Sequence, residues 1–463
     1  MDSVIFVQAI RTTVIPSSAV CKSRKEALYG WGMYNFCVAE VYRPDTVEQL
    51  CGAIDECKRR GLSVWFRGSG CSYGDVALNQ GGAVIDVSQF NKIISVDKVG
   101  GVAHVECGVT IEQLWKMVVP LGYWLPVVPG TMYPTLGGCV AMNIHGKNNW
   151  RVGPIGEHIE ELRLLTPSGE FVTCSRSANT DLFLKTVGGA GLLGCIVDLK
   201  MRLKKIHSGF LEMRSLSCGN LKECLETIDS LKESHHYVVG WLDCYARGDR
   251  LGRGIVHTAN YLEEGHPLAG RGLRIEDQEL PRWIFGIVPR KLIPKLVRPF
   301  ASNLGMCLIN RAKFFIDSYV VGKSYYQSHT GFNFLLDSVP NWKTVFLPGG
   351  LLQYQLFIPK KHAEEAFTRA IELQRELEVF SYLGVLKRHR EDGFARSYSL
   401  NGFSLALDFA VNKRTATRLG TLCRRFDELI ESYKGKVYLA KDSFGRIQVL
   451  RARLAQAATP AKT

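Results

Sequence analysis

The chain has 463 residues, 46% apolar and 22% charged, proportions that exclude a disordered, collagenous or fibrous protein and suit a globular one of two or three domains. Lys and Arg outnumber Asp and Glu by 58 to 44, a net charge of +14, so the surface favours an anionic partner: nucleic acid, acidic lipid or a phosphorylated small molecule. The 14 Cys are scattered with no C-x-x-C pair, and H-E-x-x-H is absent, which argues for reduced thiols, a cytosol-facing chain and no metal centre.

The apolar stretch Val4-Ile5-Phe6-Val7 follows Asp2 and is soon interrupted by Gln8 and Arg11, unlike a signal peptide. Residues 45–61 predict a helix capped by Asp45, with Val47, Leu50, Ile54 and Cys57 on one face and Gly61 at its end. A strand at 62–66, a glycine-rich loop at 67–75, strands at 83–87 and 102–107 and a helix at 111–119 follow. The uncharged run 117–146 is long enough for a membrane span, but Pro120, Pro126, Pro129 and Pro134 forbid a single helix. Next come a helix at 181–185, the glycine cluster 188–194 and a strand at 195–201. Beyond about Leu203 the patterns lengthen, with helices at 362–378 and 413–433 and strands at 351–358 and 403–409, so a domain boundary falls there. Residues 281–316 hold seven basic residues and no acidic one, interleaved with Trp283, Ile284, Phe285, Ile293 and Leu296. That composition suits either a peripheral membrane contact or a solvated loop.

Three glycine clusters (67–75, 129–138 and 188–194) lie in the first two hundred residues. Successive backbone N–H groups in such loops form nests for phosphate oxygens, because glycine tolerates positive φ and lets the chain approach an anion closely. The third matches G-x-G-x-x-G literally, but it follows a helix and precedes a strand, the reverse of a Rossmann turn. No Walker loop is present. One cluster would mean only a tight turn; three, each beside a buried strand, point to a dinucleotide.

The loop Arg67-Gly68-Ser69-Gly70-Cys71-Ser72-Tyr73-Gly74-Asp75, the run Pro129-Gly130-Thr131 with Thr135-Leu136-Gly137-Gly138, the segment Ile144-His145-Gly146-Lys147-Asn148 and the late Tyr438-Leu439-Ala440-Lys441-Asp442-Ser443 resemble the vanillyl-alcohol-oxidase type of FAD enzyme. Within that type they are most similar to the decaprenylphosphoryl-β-D-ribose 2-oxidase group, from about Trp31 to Ser443. The resemblance implies an α+β fold: a PCMH-type two-subdomain FAD-binding domain at 20–206, an α+β substrate domain at 207–435, and a short or divergent return to the FAD domain at 436–463. It implies FAD contacts on Arg67, Gly68, Ser69, Gly70, Cys71, Ser72, Tyr73, Gly74, Gly130, Thr135, Gly137, Gly138, Asn143, Ile144, His145, Ile196, Tyr438 and Lys441, and a substrate side made by Lys147, Gln353, Gln355 and Lys387.

Oxidising a secondary alcohol needs a hydride acceptor, a base for the hydroxyl proton and a cation beside the reducing ring. Lys441 suits the cation and Lys387 a substrate phosphate. His145 suits either the base or a ring packed on the flavin, and Tyr73 packs there too. Many relatives in the superfamily carry His where Cys71 stands and attach FAD through it, so FAD here is expected to be non-covalent. On the strand 403–409 the oxidase group commonly has Asn and Cys where this chain has Ser404 and Ala406. The leading expectation is oxidation of the 2-hydroxyl of a polyprenylphosphoryl pentose, the first half of an epimerisation completed by a short-chain reductase, in the cytoplasm or on a membrane face. The alternatives are a soluble alditol or aldonolactone oxidase using oxygen, or a flavin-binding protein that has lost turnover. Nucleic-acid binding explains the charge but no motif.

Overall fold

The computed structural model describes residues 21–284, 288–319 and 322–441. Strands β1 (Arg24–Tyr29) and β2 (Phe36–Tyr42) pair antiparallel and lead into helix α1 (Val47–Arg59). Its cap is Thr46, not the expected Asp45: the Thr46 hydroxyl accepts the Gln49 N–H at 3.3 Å, while the Asp45 N–H is tied to the Gln49 side chain at 3.2 Å. Gly61, at φ +64°, ends the helix as expected. Strands β3 (Val64–Arg67) and β4 (Ala83–Asp86) complete a four-stranded sheet in the order β1-β2-β4-β3, β4 running parallel to both neighbours. The loop 67–75 therefore leaves the carboxyl end of β3.

A second, antiparallel sheet has the order β5-β6-β9-β7-β8, from β5 (Ile93–Asp97), β6 (Val102–Glu106), β7 (Ile159–Leu165), β8 (Phe171–Ser175) and β9 (Cys195–Arg202). Helix α2 (Ile111–Val118), started by a Thr110–Gln113 capping box, and helices α3 (Leu136–Ala141) and α4 (Thr180–Thr186) join both sheets in one core that includes Leu50, Ile85, Leu114, Trp124 and Leu199. The uncharged run 117–146 winds through this core, with Trp124 fully buried and Thr135 capping α3. No described helix is long and apolar enough to cross a membrane.

The rest of the chain builds an eight-stranded antiparallel sheet. Its members are β10 (Phe210–Cys218), β11 (Tyr237–Leu242), β12 (Gly254–Tyr261), β13 (Tyr325–Ser328), β14 (Leu351–Pro359), β15 (Leu383–His389), β16 (Gly402–Ala410) and β17 (Lys436–Val437), in the order β13-β10-β12-β11-β15-β16-β14-β17. Helices α5 (Leu221–Leu231), α7 (Ala363–Glu376) and α8 (Ala416–Ser432) cover one face, while α6 (Asn303–Tyr319) lies outside that layer. Side chains on a strand alternate between faces, so Leu352, Tyr354, Leu356, Leu386, Leu405 and Leu407 enter the helix-backed core. Gln353, Gln355, Lys387, Ser404 and Ala406 then project from the other face. The C-terminal segment does not return directly to the FAD-type sheets: β17 first pairs with β14, and only then does Ala440 accept the Tyr73 N–H at 3.1 Å. Asp442, Ser443 and the remainder of 436–463 lie outside the described residues, as does Phe285.

Leu405 is fully buried between the eight-stranded sheet and its helices. Leu405→Ala is expected to destabilise this unit by about 2–5 kcal/mol, seen as a lower urea midpoint monitored by its buried tryptophan and tyrosine fluorescence.

Candidate FAD and substrate site

The glycine loops face the polar side of the eight-stranded sheet across a cavity of about 710 Å³, large enough to enclose most of a small-molecule ligand. One wall is the loop 67–73 with Gly130, Thr135, Gly137, Gly138 and Ile196; the opposite wall is Gln353, Gln355, Lys387, Ala406, Trp241 and His257. Ile144, His145 and Lys147 line it from the segment after α3, and Tyr438, Ala440 and Lys441 from the C-terminal segment.

The first wall works by close approach. A Cβ on Gly68 would lie 2.1 Å from Thr135 Oγ1, and Gly70, at φ +65°, would place one 2.0 Å from Arg67 Nη2. Arg67 braces the loop: Nη1 donates to Ala77 O at 3.1 Å and Nη2 to Tyr29 O at 2.9 Å. Backbone bonds from Trp31 to Ser72 O (2.8 Å) and from Gly32 to Tyr73 O (3.2 Å) hold its far end.

Two sequence-predicted residues do not line the cavity. Gly74 belongs to the turn behind the loop, where its carbonyl lies against Gly30. Asn143, at φ +44°, uses its side-chain oxygen to accept the Gly156 N–H at 3.0 Å, and its carbonyl accepts the Tyr398 hydroxyl at 2.5 Å. It thus anchors the Ile144–His145 segment from behind. The other predicted residues all line the cavity.

Behind His145 and Gln355 runs a chain of buried hydrogen bonds, two of whose five members, His389 and Asn149, no motif announced. His389 Nδ1 is 2.9 Å from Asn149 Oδ1, His389 Nε2 is 2.7 Å from Ser404 Oγ, and Gln355 Nε2 donates to Ser404 Oγ at 3.0 Å. Gln355 Nε2 is also 3.2 Å from His145 Nε2. One proton arrangement satisfies every link: His389 donates from Nδ1, Ser404 donates to His389, and Gln355 donates to both Ser404 and His145. The lone pair of His145 Nε2 is then engaged. Burial first, then Lys387, His389 and Lys441, hold His145 well below its ordinary value, so the ring is neutral. His389 shares the sheet face of Lys387, a relation that period-two spacing along 383–389 contains, and Ser404 lies opposite Lys387 on the paired strand. Asn149 and His257 carried no such signal.

The cavity lining gathers five basic side chains, Arg67, Lys147, Lys313, Lys387 and Lys441, with the two histidines His145 and His257, and no carboxylate lines it among the described residues; Lys313 is paired with Asp317 at 2.5 Å. Burial and then Lys441 bring the Lys387 amine down to about 7. Burial and then Lys387 lower Lys147, which donates to the Phe332 carbonyl. Burial and then Lys313 take His257 to about 4. Asp408 projects from the same sheet face as Ser404 and Ala406, opposite Gln353 and bonded to it; burial lifts its carboxyl to about 6 against the opposing effects of that bond and of Lys441. Lys441 lies 4.2 Å over the Tyr73 ring. Burial pushes the Cys71 thiol up to about 11, leaving little thiolate to form a thioether.

These features fit FAD: a glycine wall open to backbone approach, the rings of Tyr73 and Tyr438 on the lining, and the half-buried Lys441 amine over Tyr73. Gln355 Oε1 adds a cavity-facing acceptor with no protein partner. Residues 38–175 match the family described as FAD binding domain. The chain is an FAD-dependent oxidoreductase with a PCMH-type FAD-binding domain in an α+β fold. It is 29% identical over 431 residues to decaprenylphosphoryl-beta-D-ribose oxidase of Mycolicibacterium smegmatis, covering 90% of this chain and 88% of that protein. An uncharacterized oxidoreductase of Rhodococcoides fascians is 30% identical over 178 residues, 38% of this chain and 40% of its own. L-gulonolactone oxidase of Bos taurus is 26% identical over 213 residues, 46% of this chain and 47% of its own. This chain therefore spans less than half the length of the last two.

Gly68→Ala is expected to yield protein that purifies without the yellow flavin absorbance of the wild type. Acid precipitation of wild-type protein is expected to leave all of its FAD in the supernatant; flavin retained in the pellet would mean a covalent link.

Proposed function

We propose that this enzyme oxidises a secondary hydroxyl of a sugar carried on a phosphate, the 2-hydroxyl of a polyprenylphosphoryl pentose being the leading candidate. The observation that carries this reading is the lining, where Arg67, Lys147, Lys313, Lys387 and Lys441 gather with no carboxylate among the described lining residues, which favours an anionic substrate over a neutral polyol or lactone. The similarity to a decaprenylphosphoryl-beta-D-ribose oxidase over 90% of the chain supports the same substrate class. FAD, when bound, supplies the hydride acceptor.

The charges form a sequence in which each perturbs the next: Lys441 acts on Lys387, Lys387 on Lys147, and Lys147 with Lys313 on His257. Lys441, over Tyr73 at the glycine-loop end, supplies the cation beside the flavin. Lys147, His257 and Lys313 mark the far end and receive the anionic head. Between them Gln353, Gln355 and Lys387 hold the sugar. Because Gln355 engages Nε2 of His145, the base expected on His145 passes to Lys387. Its amine, near 7, is partly neutral at physiological pH and takes the hydroxyl proton as hydride leaves the carbon. The keto product is the substrate a partner short-chain reductase needs to complete an epimerisation.

In anaerobic flavin bleaching, a polyprenylphosphoryl pentose is expected to react at least about a hundredfold faster than xylitol or an aldonolactone. Equal rates would sink the phosphosugar reading, and bleaching by none would leave a flavoprotein without turnover. Protonated Lys387 cannot accept a proton, so kcat/KM is expected to rise as pH increases through about 7. Lys387→Met is expected to flatten that limb and lower the rate by about 10²–10⁴-fold. His145→Gln should keep the limb; losing it in that variant would return the base role to the histidine.

A further inference from the structure

Apart from Lys313, which faces the cavity, the surface made by the described residues between 282 and 316 has no part in the chemistry above. Eight of the eighteen large apolar side chains exposed among the described residues fall within it. Solvated surfaces seldom gather such residues, and a contiguous group marks an interaction site. On α6, positions 304, 308, 311 and 315 follow helical spacing and fall on one stripe, occupied by Leu304, Leu308, Arg311 and Phe315. Leu304, Leu308 and Phe315 are 74%, 54% and 59% exposed. The inner side of the same helix is closed: Met306 packs with Tyr73, Phe346 and Tyr382, and Asn310 donates to Met306 O at 2.8 Å. Lys313, from that inner side, reaches the cavity.

The charge of the patch has one sign. No Asp or Glu occurs between 281 and 316, and Arg282, Arg290, Lys291, Lys295, Arg298 and Arg311 form no ion pair among the described residues. A second copy of the chain docking through this face would set like charges against each other, which disfavours a two-fold dimer. Apolar side chains at mid-level with a basic rim match instead the boundary between acyl chains and anionic head groups. We infer that this face docks on an anionic lipid surface, with the α6 stripe at the acyl boundary and the basic side chains among the head groups. Docking so oriented sets the cavity wall carrying Lys313 next to the bilayer, where a lipid-tailed substrate resides. The inference goes beyond the proposed reaction and is read without turnover, so either can fail alone.

The test is co-sedimentation of the full chain with vesicles of phosphatidylcholine alone or with about a third phosphatidylglycerol. Wild-type protein is expected to pellet with the anionic vesicles, roughly tenfold more weakly with the neutral ones, and less as salt is raised. Leu308→Glu with Phe315→Glu is expected to lose at least tenfold in vesicle affinity while keeping bound flavin and bleaching by a short-chain, water-soluble substrate. Lys291→Glu with Lys295→Glu, on exposed side chains, should weaken binding to anionic vesicles alone and serves if the first variant misfolds. Wild-type protein left in the supernatant, both variants binding like wild type, or a wild-type dimer split by Leu308→Glu without vesicle affinity would each overturn the inference.

Discussion

The two-residue period of the eight-stranded sheet is the constraint on which the site depends. Leu352, Tyr354 and Leu356 on β14 and Leu405 and Leu407 on β16 must face the helices, because exposing them would forfeit the burial that holds the sheet to α5, α7 and α8. Once they do, Gln353, Gln355, Ser404 and Ala406 have no other side to occupy. Cross-strand register then sets Gln355 opposite Ala406 and Lys387 opposite Ser404. A one-residue slip in either strand would exchange site and core. The apolar face and the chemistry are therefore one design decision, and the polar row is as rigid as the core behind it.

The second organising force is the cost of gathering amines in a dry cavity. Lys387 and Lys147 are both pushed toward the neutral form, first by burial and then by a neighbouring amine. Among nearby carboxylates, Asp317 pairs with Lys313, and Asp408 is itself lifted to about 6 by burial and bonded to Gln353 beside it. Such a cluster favours an anion and is eased by one, since phosphate at the Lys147 end returns that amine toward its charged form. The same arrangement places an amine near neutrality beside the position of a reacting hydroxyl. Anion preference and base strength thus share a cause.

Much of the fold follows from local signals. Apolar spacing located α1, α2, α7 and α8 to within a few residues, and the order helix, glycine cluster, strand at 180–202 was legible enough to reject a Rossmann turn. The glycine loops were visible because tight backbone approach leaves glycine as its mark. The cap at Thr46 was missed by one residue because Asp45 and Thr46 are equally good cap formers by chemistry, and only the chain's path chose between them. The link from Ser404 through His389 to Asn149 was invisible because Asn149 lies 240 residues before His389 and the three meet only when β15 and β16 pair beside the segment after α3.

By itself the sequence determined the residue types the chemistry needs: glycines for phosphate approach, lysines for an anion, and a run of basic and apolar residues from 281 to 316. Those properties belong to single residues or to short spacings, and survive without knowledge of what lies opposite. The tertiary structure decided everything that depends on a partner. It engaged the lone pair of His145 with Gln355, brought Lys387 down beside Lys441, and turned Asn143 behind the wall it was expected to line. Proton affinity and hydrogen-bond direction are set by neighbours distant in the chain, and so exist only once the sheets have closed on each other.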